Sequence, residues 1–174
     1  SALVVVFSVL LTVLLTFPVS AGNALIGTCD FATLETAVGI ANSGGGTIDF
    51  ACSGTITFSY RLTIGEDTIM NSNGNSITFN GNAVTSFFYV NMGRSLTLNG
   101  FTLEHGVVTG ASEGGAIQNH GMLTINDSMI RTNYSQWGGG AIGNNGTIVI
   151  NNTTFYQNES GYFGGAIANV GTAF

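Results

Sequence analysis

The acidic side chains are the residues of this sequence that could perform chemistry, because paired carboxylates hydrolyse glycosidic bonds and clustered carboxylates bind Ca²⁺. Nine Asp and Glu residues are scattered along the 174-residue chain. The one adjacent pair, Glu66-Asp67, follows Gly65 and is typical of a solvated turn. We therefore expect no catalytic constellation, no metal site and no cofactor in this stretch of chain.

The histidines and basic residues add little to this picture. His105 and His120 each precede a glycine at different positions of the pattern described below, without a Ser or Cys partner, and are interpreted as turn residues. The chain has no Lys and only three Arg, at positions 61, 94 and 131, and its net charge is −6. Since nucleic-acid binding depends on basic patches, we expect no nucleic-acid partner.

Four aromatic residues form a candidate contact surface. Tyr134 and Trp137 lie in one glycine-rich segment, and Tyr162 and Phe163 lie in the equivalent part of the next. Exposed aromatic rings on stacked loops could bind a carbohydrate or a protein partner. The same rings could instead cover the apolar residues beneath them, and the sequence leaves both alternatives open.

A repeat of 25 residues must position these loops. Its clearest element is a four-residue block that occurs three times, as Gly114-Gly115-Ala116-Ile117, Gly139-Gly140-Ala141-Ile142 and Gly164-Gly165-Ala166-Ile167. Between the blocks lie short runs of alternating apolar residues, which predict strands with one buried face. Three short strands in 25 residues predict one coil of a parallel β-helix, an all-β solenoid of about five coils plus a partial one.

Equivalent residues of neighbouring coils should stack about 4.8 Å apart. We expect an interior apolar column of Leu98, Ile125 and Ile150, and an Asn ladder of Asn99, Asn126 and Asn151 at a turn. Glu104, Arg131 and Tyr156 also share one repeat position and alternate with buried neighbours, so they should point outward. The sequence predicts a Glu104–Arg131 ion pair on that face, and Tyr156 could stack on Arg131.

The N-terminal part of the solenoid has a different pattern. Residues 31–42 place apolar side chains on one helical face after Asp30, a plausible N-cap, and predict a helix that covers the first coil. Cys29 and Cys52 could form a disulfide in an oxidising compartment, the alternative being two separate buried thiols. We assign residues 22–58 to this cap and the first coil, and residues 59–174 to the remaining coils.

The two ends of the chain carry further expectations. Residues 2–19 are free of ionisable side chains, and Val19-Ser20-Ala21 fits a signal-peptidase site, which predicts a signal peptide over residues 1–21 or an uncleaved anchor. Residues 171–174 align with residues 121–124, so the chain stops within a strand. We expect it to be a C-terminally truncated piece of a longer protein.

The repeated blocks resemble a known surface-protein repeat. Gly-Gly-Ala-Ile alternates with Phe-x-x-Asn, intact at Phe155 and Asn158 and varied at residues 130–133, and this combination is similar to the chlamydial polymorphic outer-membrane protein repeat. Residues 29–58 resemble the N-terminal region of CSLREA-type β-helix proteins. The resemblance implies secretion, a right-handed β-helix passenger, and a role in adhesion or as a surface antigen.

Together these observations predict an exported protein, secreted or on the cell surface or outer membrane, that acts as an adhesin-like or stalk passenger. Its expected partners are a glycan or a host-surface protein, with attachment to the outer membrane or cell wall through an anchor beyond Phe174. Two alternatives stay open because fold does not decide function. One is a polysaccharide lyase or hydrolase with its active coils further along the chain, and the other is a purely structural cell-envelope repeat.

Overall fold

Parallel β-strands form nearly all of the regular structure in the computed structural model, which describes residues 22–174. They stack into a solenoid of about six turns with about 25 residues per turn. The predicted all-β parallel solenoid is therefore confirmed. The predicted signal peptide or anchor, residues 1–21, lies outside the described residues.

Twenty strands and one helix follow one another in residues 22–174. In chain order they are β1 (Ala24–Ile26), α1 (Phe31–Ala41), β2 (Gly46–Phe50), β3 (Gly54–Thr57), β4 (Leu62–Ile64), β5 (Thr68–Asn71), β6 (Ile77–Asn80), β7 (Phe88–Val90), β8 (Ser95–Asn99), β9 (Phe101–Glu104), β10 (Val107–Val108), β11 (Ile117–Asn119), β12 (Met122–Asn126), β13 (Met129–Arg131), β14 (Tyr134–Ser135), β15 (Ile142–Asn144), β16 (Thr147–Asn151), β17 (Thr154–Tyr156), β18 (Glu159–Ser160), β19 (Ile167–Asn169) and β20 (Thr172–Ala173).

The strands form three long sheets and one short sheet. The first sheet has the order β1-β2-β5-β8-β12-β16-β20, the second β3-β6-β9-β13-β17, the third β4-β7-β11-β15-β19, and the short fourth β10-β14-β18. Leu123 pairs with Ile148, Ile130 with Phe155 and Ile117 with Ile142, each in parallel register and 25 residues apart. Each complete coil thus adds one strand to each long sheet.

The core is a column of apolar side chains enclosed by the three long sheets. Leu98 and Ile125 are fully buried and Ile150 packs against them half-buried, as the repeat predicted. The earlier coils are filled by phenylalanines, with Phe79 stacked on Phe101 at 4.9 Å between ring centroids. Such ring pairs add to the stability that comes from removing their apolar area from water.

The predicted Asn ladder is present and extends further than the sequence suggested. The Asn151 side-chain amide donates to Asn126, Asn126 to Asn99, and Asn99 to Asn71, with N···O distances of 2.8, 2.7 and 2.7 Å. Asn71 in turn donates to the Asp49 carboxylate at 3.0 Å. From Asn151 back to Asp49, successive members of this ladder are 25, 27, 28 and 22 residues apart in the chain. The register between coils is therefore kept although the coils differ in length.

A second and more buried ladder was not anticipated. Asn119 and Asn144 are fully buried at the ends of β11 and β15, and each donates to the next Asn at 2.6 Å, Asn119 to Asn144 and Asn144 to Asn169. Asn133, from the Phe-x-x-Asn repeat, is also buried and donates to Asn158 at 2.9 Å. These amides satisfy groups that would otherwise be unpaired inside the solenoid, where an unmade hydrogen bond is costly.

Helix α1 covers the apolar end of the first coil. The Asp30 carboxylate accepts the Thr33 backbone N–H at 2.8 Å and the Thr33 hydroxyl at 2.9 Å, and these hydrogen bonds lower the pKa of Asp30 below its usual value. Leu34 and Val38 are buried against the strands. The helix ends at Ala41, one residue before the predicted end.

The residue after the helix explains that difference. Asn42 caps the helix, while its side chain accepts the Gly65 N–H and donates to the Thr63 carbonyl, both at 2.8 Å. Tyr60 also ties the coil to the helix, because its hydroxyl donates to the Glu35 carboxylate, a contact that raises the pKa of Tyr60. The cap is therefore joined to its coil by polar contacts as well as by packing.

Cys29 and Cys52 form a disulfide across this junction, 23 residues apart in the chain. The bond links the segment before α1 to the segment after β2. A closed loop of this length stabilises a folded chain by about 3 kcal/mol on the chain-entropy model.

The repeated Gly-Gly-Ala-Ile blocks have structural roles. The first glycine of each block is left-handed, with φ values of +80°, +59° and +56° at Gly114, Gly139 and Gly164. At the second glycine the coils approach closely: an added Cβ on Gly140 would overlap the carbonyl oxygens of Gly165 and Glu159. The following Ala and Ile are buried in the first two blocks and half-buried in the third.

We expect Gly140→Ala to destabilise the protein by about 1–3 kcal/mol, because overfilling a closely packed site forces the backbone to move. Gly39→Ala is the matched control: Gly39 lies in α1, is exposed, and has open space around an added Cβ. It should stabilise the chain by up to about 1 kcal/mol. Urea unfolding measures both changes, and an unaffected Gly140→Ala variant would contradict the close approach.

Candidate functional site

The loops between the second and third sheets stack into a column along one side of the solenoid. The short fourth sheet begins each loop, with Val107 paired to Tyr134 and Tyr134 paired to Glu159. The loops stay in register beyond these strands, because Gly138 forms a parallel bridge with Phe163. Side chains at equivalent loop positions are therefore neighbours.

This stacking brings together three of the four predicted contact residues, Trp137, Tyr162 and Phe163, which we call the aromatic ledge. The Trp137 and Tyr162 rings stack at 5.0 Å between centroids, and Phe163 lies 6.4 Å from Tyr162. Trp137 is 42% exposed, and Tyr162 and Phe163 are each 65% exposed. The rings therefore cover one another in part while keeping a large surface in contact with water.

Tyr134 differs from the other three residues. It lies in β14 and is half-buried, with its hydroxyl beside Gly161 of the next coil. The sequence left open whether these aromatic rings form a contact surface or cover the coil beneath them. Tyr134 covers the coil, whereas the three ledge residues project from the surface.

Main-chain hydrogen bonds hold the ledge in place. The Phe163 N–H donates to the Trp137 carbonyl at 3.1 Å, and the Gly139 N–H donates back to the Phe163 carbonyl at 2.9 Å. Two residues earlier in the same loop, the Gly161 N–H donates to the Ser135 carbonyl at 3.0 Å. The backbone that carries the rings is thus part of the inter-coil ladder, which limits the freedom that a ligand would have to remove.

The outward column of Glu104, Arg131 and Tyr156 is found in the second sheet. Arg131 forms the predicted ion pair with Glu104, with Nη2 at 2.6 Å and Nε at 2.9 Å from the same carboxylate oxygen. The predicted stacking of Tyr156 on Arg131 is wrong: within residues 22–174 the cation–π contact belongs to Arg61 and Tyr89. The reason is that Glu104, on the opposite side, engages the Arg131 guanidinium.

The remaining candidate residues have structural surroundings. His105 lies in a turn with φ of +54°, and His120 lies in a bend beside Tyr89, with 5.1 Å between ring centroids. Glu66 is paired with Arg94 at 2.6 Å, and Asp67 accepts the Ser95 N–H at 2.8 Å. Residues 22–174 contain no group of three His, Cys, Asp or Glu side chains placed to hold a metal ion.

Phe155 and Asn158 belong to the fold rather than to a surface site. Phe155 packs half-buried against the core. The Asn158 amide donates to the Ile130 carbonyl of the preceding coil at 2.8 Å. The Phe-x-x-Asn motif thus joins one apolar anchor to one inter-coil hydrogen bond.

Sequence reasoning missed a cleft at the other end of the loop column. Arg61 lines it together with residues 83–86, residues 107–109 and Ser112, and its volume is about 400 Å³. The Arg61 guanidinium lies 5.1 Å from the centre of the Tyr89 ring, and its Nη1 donates to the Gln118 side chain at 3.0 Å. The sequence carried one signal for this cleft: its repeat pattern paired Arg131 with Glu104 but offered no acidic partner for Arg61.

No family model, curated protein or solved structure matches the chain. The resemblance to the chlamydial polymorphic outer-membrane protein repeat therefore stays a prediction. The class defined by the described residues is a parallel β-solenoid with an N-terminal helical cap. Across residues 22–174, no helix has both the length and the apolar character needed to cross a bilayer.

The single tryptophan of the chain makes the ledge directly measurable. We expect Tyr162→Ala to increase the quenching of Trp137 fluorescence by acrylamide, because the indole loses the ring that covers one face. Tyr156→Ala removes another exposed tyrosine from a different sheet and should leave quenching unchanged. Equal quenching in the parent and in Tyr162→Ala would show that the two rings are not stacked in solution.

Proposed function

We propose that this chain is the binding passenger of an exported surface protein, with the solenoid as a rigid stalk and the aromatic ledge as its carbohydrate-contacting surface. The observation that carries the proposal is the stacked and exposed pair of Trp137 and Tyr162, extended by Phe163.

The chemistry of aromatic rings supports a carbohydrate as the ligand. A ring offers a flat apolar face to the C–H face of a sugar, and Tyr and Trp add a polar atom at the edge. Because the ring-bearing backbone is already hydrogen-bonded between coils, binding costs little ordering. Exposed apolar surface of this kind is typical of a binding site.

Two observations support export. The disulfide between Cys29 and Cys52 is characteristic of proteins that fold in oxidising compartments. The repeat of Gly-Gly-Ala-Ile and Phe-x-x-Asn resembles that of secreted surface passengers. The attachment to an outer membrane or cell wall is part of the same proposal.

The proposal is tested by measuring the binding of the purified chain to an array of immobilised oligosaccharides. We expect the double variant Trp137→Ala, Tyr162→Ala to bind its preferred glycans at least about tenfold more weakly, as hot-spot aromatics do. The matched control is Tyr156→Ala, which removes an exposed tyrosine from the second sheet and should bind like the parent.

The other outcomes favour the alternatives. A parent chain that binds no oligosaccharide would contradict the proposal and favour a purely structural envelope repeat. Shortened or unsaturated products in the bound glycan would instead favour a carbohydrate-active enzyme. Unchanged binding by the double variant would remove the ledge from the site.

A further inference from the structure

Arg61 differs from the other two arginines in its partners. Arg94 is paired with Glu66 and Arg131 with Glu104. Within residues 22–174, Arg61 makes no ion pair; its partners are the Gln118 amide oxygen and the face of Tyr89. Both are neutral, so they orient the guanidinium without compensating its charge.

Arg61 lines a cleft and, among residues 22–174, keeps free hydrogen-bond donors. A guanidinium has five N–H donors, and within the described chain one nitrogen, Nη1, has a hydrogen-bond acceptor. Arg61 is half-buried, and a charge that is partly removed from water interacts more strongly with an opposite charge. The cleft that it lines has a volume of about 400 Å³, within the range of small-ligand sites.

The rest of the cleft is lined by hydroxyl and aliphatic side chains. The hydroxyl residues are Thr85, Ser86, Thr109 and Ser112, and the aliphatic ones are Ala83, Val84, Val107 and Val108. Ser86 is 3% exposed, and its carbonyl accepts the Thr85 hydroxyl at 3.0 Å. No carboxylate lines the cleft, since Glu113, which follows Ser112, packs against Gly138 and Gly143.

We propose that this cleft binds the carboxylate of an acidic sugar, a uronate unit of a saccharide. Arg61 donates two parallel N–H bonds to the carboxylate, the geometry for which a guanidinium is suited. The Thr109 hydroxyl binds a sugar hydroxyl, and Val84 contacts the sugar ring. One arginine without an ion pair within residues 22–174, in a chain of net charge −6, fits a singly charged carboxylate better than a densely sulfated polymer.

The position of the cleft connects this inference to the aromatic ledge, and it rests on the proposed carbohydrate-binding function. Val107 and Val108 belong to the same short sheet that leads to Trp137 and then to Tyr162. The ledge therefore begins one coil beyond the cleft, and each coil adds about 4.8 Å along the axis. One oligosaccharide can lie along both, with its acidic unit at Arg61.

The test uses two tetrasaccharides of the same backbone, cellotetraose and the tetraglucuronate obtained by oxidising its C6 positions, titrated calorimetrically against the purified chain. We expect the parent to bind tetraglucuronate at least tenfold more tightly than cellotetraose. Arg61→Gln should abolish that preference, because the affinity for tetraglucuronate falls at least tenfold. Arg61→Lys keeps the positive charge but lacks the two parallel N–H donors of a guanidinium, so it should retain only part of the preference.

Arg131→Gln is the matched control, because it removes the same charge from another face of the solenoid. A preference that survives in Arg61→Gln, or that falls equally in Arg131→Gln, would overturn the proposal. So would equal affinity of the parent for the two tetrasaccharides, or binding of neither. Free glucuronate is the third ligand: if it binds as tightly as the tetramer, the site takes a small acid and not a glycan chain.

The same titrations separate this inference from the proposed function. Suppose that the parent shows no preference for tetraglucuronate and that the double variant Trp137→Ala, Tyr162→Ala binds both tetrasaccharides more weakly. The ledge is then supported as a binding surface, and the cleft assignment fails. If that double variant changes neither affinity while Arg61→Gln weakens tetraglucuronate, the cleft stands and the ledge fails.

Discussion

The main-chain hydrogen bonds between successive coils are the interaction on which every other feature of this molecule depends. They run in parallel register through all three long sheets, and in the first sheet they extend from Ala24 paired with Ile48 to Thr147 paired with Thr172. Because one coil cannot bury its apolar face alone, stability comes from neighbours that repeat the same pattern. The buried Asn119–Asn144–Asn169 ladder adds a polar constraint on that register, since a slipped coil would leave buried amides unpaired.

The same register makes the surface of the protein. Residues that would be far apart in an unstacked chain become neighbours at intervals of one coil, which is how Trp137 meets Tyr162 and Arg131 meets Glu104. The Glu104–Arg131 pair neutralises its own charge on an exposed sheet and adds at most about 1 kcal/mol. By contrast, the aromatic ledge and the Arg61 cleft leave apolar area and positive charge unpartnered within the described chain, which is what a binding surface requires.

Much of the fold follows from sequence spacing, because 25-residue periodicity fixes which side chains stack. That spacing alone identified the Asn99–Asn126–Asn151 ladder and the Glu104–Arg131 pair. The Arg61 cleft was not predictable, since it joins segments from three coils whose lengths depart from the strict repeat. The expectation that Tyr156 stacks on Arg131 was wrong, because the repeat spacing gives Arg131 two neighbours, Glu104 and Tyr156. Spacing alone does not decide which of the two the guanidinium contacts. The buried Asn119 ladder carried a signal, an Asn two residues after each Gly-Gly-Ala-Ile block, that resembled ordinary turn composition.

Through-hydrogen-bond scalar couplings between backbone amides and carbonyls, measured by NMR on the isotopically labelled chain, test this account most directly. The stacked register predicts couplings from the Thr147 N–H to the Gly121 carbonyl and from the Thr172 N–H to the Gly146 carbonyl, each across 26 residues, with N···O distances of 2.8 and 2.9 Å. A coupling from the Phe163 N–H to the Trp137 carbonyl would show that the loop column shares that register. Couplings between antiparallel neighbours, or partners displaced along the strands, would contradict the stacked solenoid and with it the ledge and the cleft.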